Sequence, residues 1–261
     1  MWDHPKFGPA YRVNVLTSSE SLNIPVYAAM TAQEYLQNET GPLTVPPGFL
    51  AYKMLSSNPS VDLQESMLAA LAAFPSHWPE AEYIIKNGYS GDNQNYMKAD
   101  PKDGYNYATV SAALVAPMSR GNVSIRSVDM AESPVIRPNW FEDPADIDVA
   151  VAAFKRLRQV FENMSNVTIG EEYYPGLNMT TDADIANFIR QTFIQLYHAA
   201  GTCKMGQKID SMAVVDTQSR VYGVQGLRVV DASAFPFLPP RHPQSTVYML
   251  AGKIAERMDG G

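Results

Sequence analysis

The sequence has little of several features that define common classes of protein. It holds a single cysteine, Cys203, so no disulfide bond can form within the chain. Its best apolar run, Met67–Phe74, is far shorter than the ~20 residues of a membrane-spanning helix, and Met1–Lys6 has no apolar signal-peptide core. Basic residues are not in excess: the formal net charge is −7, whereas nucleic-acid-binding proteins usually carry a basic face. We therefore expect no nucleic-acid partner and no membrane span.

The overall amino-acid composition is typical of a globular protein. Hydrophobic residues make up 46% of the 261 positions and charged residues 18%, which is enough apolar material for a sizeable core. The chain also carries five Asn-x-Ser/Thr triplets, the acceptor pattern for N-glycosylation on secreted chains. They begin at Asn38, Asn122, Asn163, Asn166 and Asn178. Secretion therefore stays open, and the localisation is undecided from the sequence.

Two helices are predicted in the second half of the chain. Asp143 can cap the first and Pro144 suits its first position, and apolar residues then recur at three- and four-residue spacing over 147–161. Thr181 is predicted to begin the second helix, with Asp184 three residues on in a capping-box arrangement. Each helix would bury one apolar face.

Elsewhere the pattern mixes strands, helices and loops. Tyr107–Pro117 and Val123–Ser127 are predicted to form the two strands of a hairpin, joined by a glycine- and asparagine-containing turn. Helical spacing is present around Tyr27–Gln37 and over Leu63–Phe74, whereas 76–103 is polar, aromatic and loop-like. We therefore predict a fold of the α/β or α+β class.

Two of the four histidines, His198 and His242, have flanking sequences that favour a catalytic role. His198 follows the second helix, and His242 comes just before a third predicted helix, from about Ser245 to Met258, whose first N–H groups and dipole favour an electron-rich partner. Because histidine exchanges a proton near neutrality, one of the pair can take a hydroxyl proton while the other holds the oxygen. The alternative is two ordinary buried or surface histidines. His4 and His77 are expected to stand alone, and no Cys/His spacing indicates a metal site.

Stretches around these histidines resemble the C-terminal part of the glucose–methanol–choline (GMC) oxidoreductases, a family of flavoproteins. The matching stretches are Tyr197–Gly206, Val214–Asp216, Arg220–Ser233, His242–Thr246 and Ala251–Ala255. Weaker matches lie at Pro117–Val123, Pro138–Phe141 and Trp2–Pro5. The sequence of residues 235–248 is similar to fungal members in particular, namely aryl-alcohol-oxidase-like and versicolorin-B-synthase-like proteins of secondary metabolism. Together these stretches cover nearly the whole chain.

The resemblance implies roles for six residues. His198 matches the family's base, which takes the proton of the substrate hydroxyl, and His242 matches the second active-site position. Two further pairs match residues that contact FAD: Asp231 and Ala232 beside its ribityl and diphosphate groups, and Gln244 and Ser245 at the pyrimidine edge of its ring. The implied cofactor is FAD and the implied substrate is a small-molecule alcohol.

The resemblance also implies a domain plan with one part absent. Residues 1–20 would be a tail of the FAD domain, 21–142 an antiparallel-sheet substrate domain, and 143–261 the returning part of the FAD domain. The Gly-x-Gly-x-x-Gly fingerprint of the Rossmann dinucleotide motif, expected near the family's N-terminus, is absent from this sequence. We therefore expect an N-terminal FAD-binding half as a partner of this chain, which is then a truncated gene product, a processed chain or an inactive remnant, in that order.

The expected function is FAD-dependent oxidation of the CH–OH group of an alcohol, with a hydride passing to flavin N5 and His198 acting as base. The fungal resemblance keeps an alternative open, since some relatives in that group catalyse non-redox cyclisation. The same pocket would then carry out acid–base cyclase or lyase chemistry with FAD only structural. A third possibility is a fragment without activity.

Overall fold

The structure, a computed structural model, describes residues 1–44, 48–58, 61, 63–91 and 99–259. The chain folds into two compact units, each assembled from separate stretches. The sheet unit comprises Pro5–Ala116 and Ile147–Ile194, and the histidine unit comprises Met1–His4, Pro117–Asp146 and Gln195–Gly261. The units are thus interleaved along the chain, whereas the sequence suggested three consecutive segments, 1–20, 21–142 and 143–261. The assignment of those segments to a cofactor part and a substrate part stays a prediction.

The strands of the described residues are short, apart from a long central one. In chain order they are β1 (Pro5–Phe7), β2 (Ala10–Val13), β3 (Leu50–Lys53), β4 (Ala81–Lys86), β5 (Asn106–Leu114), β6 (Asn122–Ser124), β7 (Val135–Arg137), β8 (Thr168–Tyr174) and β9 (Ile194–Gln195). The main sheet has the order β3-β4-β5-β1-β9, with β2 pairing to both β5 and β8. The strand pairs β1–β5, β2–β5, β2–β8, β3–β4 and β4–β5 are all antiparallel.

Five of the six helices in the described residues lie close to where the sequence predicted them, and the short first helix was not predicted. They are α1 (Ser18–Asn23), α2 (Pro25–Asn38), α3 (Glu65–Leu71), α4 (Pro144–Glu162), α5 (Asp182–Thr192) and α6 (Gln244–Asp259). At the start of α4 the carboxylate of Asp143 accepts from the N–H of Ala145 at 2.9 Å. None of the helices in the described stretches is long and apolar enough to cross a membrane.

The core of the sheet unit lies where the apolar stripes of α4 and α5 were predicted. Five residues of α4 are buried at the predicted spacing: Ile147, Val151, Phe154, Leu157 and Phe161. Thr181 caps α5 in a complete capping box with Asp184, and Ile185, Phe188 and Ile189 on that helix are buried. Burying each of these side chains stabilises the fold by roughly 1.5–3 kcal/mol.

Two predictions about strands are wrong. β5 does not form a hairpin with the segment after Gly121; it pairs with β4 on one side and with β1 and β2 on the other, while β6 pairs with β7. A β-like run of residues predicts a strand but does not specify which other strand it pairs with. The predicted loop over 76–103 contains β4, which the pattern missed because the strand buries the charged side chain of Glu82 completely.

Candidate active site

The N-terminal residues of the histidine unit pair with the segment that carries His198. The N–H of Trp2 donates to the carbonyl of Ala200 at 2.9 Å, and the N–H of Ala200 donates back to the carbonyl of Trp2 at 2.8 Å. The N–H of Leu196 donates to the carbonyl of His4 at 2.9 Å. This short antiparallel pairing brings His4 beside His198, although 194 positions separate them in the sequence.

The carboxylate of Asp3 holds both histidine backbones. Its Oδ1 accepts from the N–H of His4 at 2.8 Å and from the N–H of His198 at 3.0 Å. Asp3 is itself buried, and this burial raises the pKa of its carboxyl group while the two N–H bonds lower it. A single buried oxygen therefore fixes the two backbones relative to each other.

Three imidazole rings form a row with His198 in the middle. The ring centroids of His198 and His242 are 4.8 Å apart and those of His4 and His198 are 5.2 Å apart, both pairs being edge to face. The Nδ1 atoms of His4 and His198 lie 3.0 Å apart, within hydrogen-bonding distance. His4 is 0% exposed and His198 5% exposed, whereas His242 is exposed. The row thus runs from the interior of the histidine unit to its surface.

The electrostatics of the row keep its buried members uncharged. Burial, together with the nearby His242, lowers the pKa of His198 to about 4. Burial lowers the pKa of His4 well below its usual range, and charge on His198 or His242 would act in the same direction. At neutral pH both rings are therefore uncharged imidazoles, each with one nitrogen able to accept a hydrogen bond and one N–H able to donate.

The loop after His198 is bonded to the segment that contains Asp231 and Ala232. The N–H of Gly201 donates to the carbonyl of Ala232 at 3.1 Å, and the N–H of Cys203 donates to that of Ser233 at 2.8 Å. Ala232–Ala234 is a short 3-10 helix, and Asp231 caps it by accepting from the N–H of Ser233 at 2.7 Å. Asp231 is exposed and Ala232 is partly buried.

His242 stands two residues before α6. That helix begins at Gln244 and Ser245, which are both exposed, and no acidic side chain lies in its first turn. The carbonyl of Pro243 accepts from the N–H of Val247 at 2.9 Å. The N–H groups ahead of Val247 have no partner within the helix, so this end of α6 is a donor-rich, electropositive surface.

The structure thus brings together the two histidines that the sequence predicted as a pair. Their catalytic roles, and the cofactor roles of Asp231, Ala232, Gln244 and Ser245, stay predictions. The expectation that His4 stands alone is wrong, because His4 contacts His198 through a pairing that no periodic pattern announces. The only sequence signal for this contact was the weak family match of Trp2–Pro5. The role of Asp3 was also missed, because it depends on the same long-range pairing.

Comparisons with known proteins identify the family. The profile of the GMC oxidoreductases matches residues 117–251. Patulin synthase of Aspergillus clavatus is 46% identical over 99% of this chain and 42% of its own length, and versicolorin B synthase of Aspergillus parasiticus is 40% identical over 100% of this chain and 40% of its own length. A solved structure of formate oxidase from Aspergillus oryzae RIB40 superposes with a TM-score of 0.82 at 21% identity, over 98% of this chain and 46% of that one. That structure concerns the effect of a mutation on FAD modification.

The chain spans about two fifths of the length of the curated relatives it matches. The predicted mixture of helices with an antiparallel sheet is confirmed, and this fold is shared with about half of the solved formate oxidase structure. The relatives named patulin synthase and versicolorin B synthase are both proteins of Aspergillus species. This chain therefore belongs to the GMC oxidoreductases, a family of FAD-dependent flavoproteins.

Proposed function

We propose that the protein oxidises the CH–OH group of a small-molecule alcohol with FAD, and that His198 accepts the proton of the alcohol hydroxyl. The observation that carries the proposal is the contact of the His198 and His242 rings, 4.8 Å apart, with one ring buried and the other exposed. Such a pair offers a proton acceptor and a hydrogen-bond partner to one oxygen atom.

His198 is suited to the acceptor role because it is uncharged at neutral pH. Its lowered pKa, about 4, leaves one ring nitrogen with a free electron pair at neutral pH. His242 is the exposed member, and its ring is placed to bind the alcohol oxygen while the hydroxyl proton moves to His198. The Asp3 carboxylate holds the backbone of His198 during this transfer.

The residues on this chain fit contacts to FAD. The N-terminus of α6 presents backbone donors at Gln244 and Ser245 with no acidic side chain in the first turn, which suits the oxygen- and nitrogen-rich pyrimidine edge of the ring. The exposed carboxylate of Asp231 suits hydroxyl groups of the ribityl chain, and Ala232 leaves room beside it. When bound, FAD supplies the two-electron acceptor that takes the hydride from the carbinol carbon.

The N-terminal half of a full-length relative would complete this cofactor site. The glycine-rich turn that cradles a dinucleotide pyrophosphate is absent from this sequence, and the chain covers 42% of patulin synthase. We therefore propose an FAD site whose pyrophosphate contacts come from an N-terminal partner segment, with this chain supplying the histidine pair and the ring contacts.

A second candidate keeps the site but transfers no electrons. Two relatives at 46% and 40% identity are named synthases, and an imidazole pair can take a proton at one atom and return it at another without a net oxidation. In this case the histidines would catalyse a cyclisation or elimination.

Anaerobic mixing separates the two candidates. The FAD-loaded protein, meaning this chain together with the N-terminal FAD-binding segment proposed above, is mixed with benzyl alcohol or a short primary aliphatic alcohol. The flavin absorbance and the products are followed together. Bleaching of the flavin with formation of the matching carbonyl compound is the expected result. Product formation without bleaching favours the acid–base candidate, and a protein that binds no flavin or is not reduced by any alcohol overturns the proposal.

A further inference from the structure

His4 shares one hydrogen bond with His198, and that bond can hold only one proton. The Nδ1 atoms of the two rings are 3.0 Å apart, so one nitrogen must donate and the other must accept. Burial lowers the pKa of both rings, so neither is an imidazolium at neutral pH. The tautomers of His4 and His198 are therefore locked to each other.

Backbone hydrogen bonds hold together the two segments that carry these rings. Asp3 accepts from the N–H groups of both histidines, and the carbonyl of His4 accepts from Leu196. Trp2 and Ala200 exchange two further hydrogen bonds. These bonds hold the backbones of His4 and His198 at a fixed separation inside the histidine unit.

The geometry decides which nitrogen of His198 can react. With Nδ1 turned to His4, only Nε2 remains for a substrate. For Nε2 to accept a proton, the existing proton must sit on Nδ1 and be donated to Nδ1 of His4. After the transfer His198 carries protons on both nitrogens, and Nδ1 of His4 still accepts the same hydrogen bond. The opposite tautomer would place a proton on Nε2 of His198 and block its use as a base.

We propose that His4 is a positioning residue for His198: it accepts a hydrogen bond from Nδ1–H of His198 and thereby presents Nε2 as the atom that takes the alcohol proton. The inference rests on the proposed function of His198. It leaves the proton of His4 on Nε2, which is buried and has no hydrogen-bond partner among the described residues. In either tautomer of His4 this nitrogen is a buried polar atom without a partner, so its burial does not by itself select one tautomer.

The first test is spectroscopic and does not depend on turnover. In the FAD-loaded protein labelled with ¹⁵N-histidine, two-bond proton–nitrogen correlations report which nitrogen of each neutral ring carries the proton. The expected result is Nδ1–H for His198 and Nε2–H for His4. The reverse assignment, in the wild-type protein itself, overturns the proposal even if alcohol oxidation is intact.

The second test compares two substitutions at one position. In His4→Asn the amide oxygen can stand close to the place of Nδ1 and accept the bond, whereas His4→Leu fills similar volume with no acceptor. We expect His4→Leu to lower the limiting rate of flavin reduction about 10- to 100-fold, the range found when a partner that orients a functional histidine is lost. We expect the half-saturating alcohol concentration to stay within about 3-fold, and His4→Asn to restore most of the rate.

The controls separate a positioning role from a structural one. His77→Leu changes an exposed histidine outside the row and should leave rate, flavin content and melting temperature unchanged. Equal rates in His4→Leu and the wild type overturn the proposal, as does an equal loss of rate in His4→Leu and His4→Asn. If the wild-type flavin is not reduced by any alcohol, the proposed function fails, and the tautomer measurement still decides the role of His4.

Discussion

Acidification should destabilise the fold through His198. Burial and the neighbouring His242 lower the pKa of this histidine to about 4, whereas a histidine in an unfolded chain titrates near ~6.5. Between these two values the unfolded chain binds a proton that the folded chain does not. The contribution of His198 to the free energy of unfolding is therefore complete above pH ~6.5, and it is lost as the pH drops towards ~4.

The size of the effect follows from the separation of the two pKa values. Each unit corresponds to about 1.4 kcal/mol, so a difference of about 2.5 units gives an upper value of about 3 kcal/mol. His242 is exposed, and water on that side of the His198 ring screens part of the penalty, which reduces the expected loss at about pH 4.5 to about 2 kcal/mol. His4, whose pKa is lowered well below its usual range by its burial, acts in the same direction.

The assay is urea unfolding, followed by the fluorescence of the three tryptophans, at about pH 7 and about pH 4.5. Three proteins are compared: the wild type, His198→Asn and His77→Asn. Carboxylates titrate in all three, so their contribution cancels in the comparison. The wild type and His77→Asn should lose about 2 kcal/mol more than His198→Asn on acidification. Parallel losses in all three proteins would refute the reasoning.

Three further predictions concern other parts of the chain. Asp3→Ala should destabilise the protein by roughly 2–4 kcal/mol because it leaves the buried N–H groups of His4 and His198 without an acceptor; Asp3→Asn keeps an oxygen, so equal unfolding midpoints for the two variants would contradict this. Thr181→Ala should cost about 1 kcal/mol by removing the cap of α5, and adding Asp184→Ala should cost little more because the two residues form one capping box; two full, additive losses in urea unfolding would disagree. The five sequon asparagines are all exposed, so the protein secreted from a fungal host should lose mass on treatment with an N-glycan-cleaving endoglycosidase, and an unchanged mass would exclude glycans at these sites.

Local signals in the sequence were sufficient to predict five of the six helices of the described residues, whereas α1 was not predicted. The stripe from Ile147 to Phe161 and the capping box at Thr181 depend on residues within one or two turns of each other, so α4 and α5 lie where the pattern put them. His242 stands just ahead of α6 for the same reason. The pairing of His198 with His242 came from flanking motifs of the family, which the profile match over 117–251 supports.

The remaining features depend on long-range pairing, which a pattern of period two does not specify. β5 was predicted as a strand, but its partners β1, β2 and β4 lie far away in the sequence. β4 was hidden because Glu82 is buried against the usual preference of a carboxylate for water. The contact of His4 with His198 spans 194 positions and follows from the short pairing of Trp2 with Ala200. No local signal predicts that pairing.

The central claim, that His198 takes the alcohol proton, is tested most directly by the rate of flavin reduction in His198→Asn. The FAD-loaded variant and wild type are mixed anaerobically with saturating alcohol near neutral pH, after equal flavin content has been shown for both. The account predicts that the variant is slower by about 10²- to 10⁴-fold, the usual contribution of a general base. A variant that reduces its flavin within about 3-fold of the wild-type rate would contradict the account, because the proton would then have another acceptor.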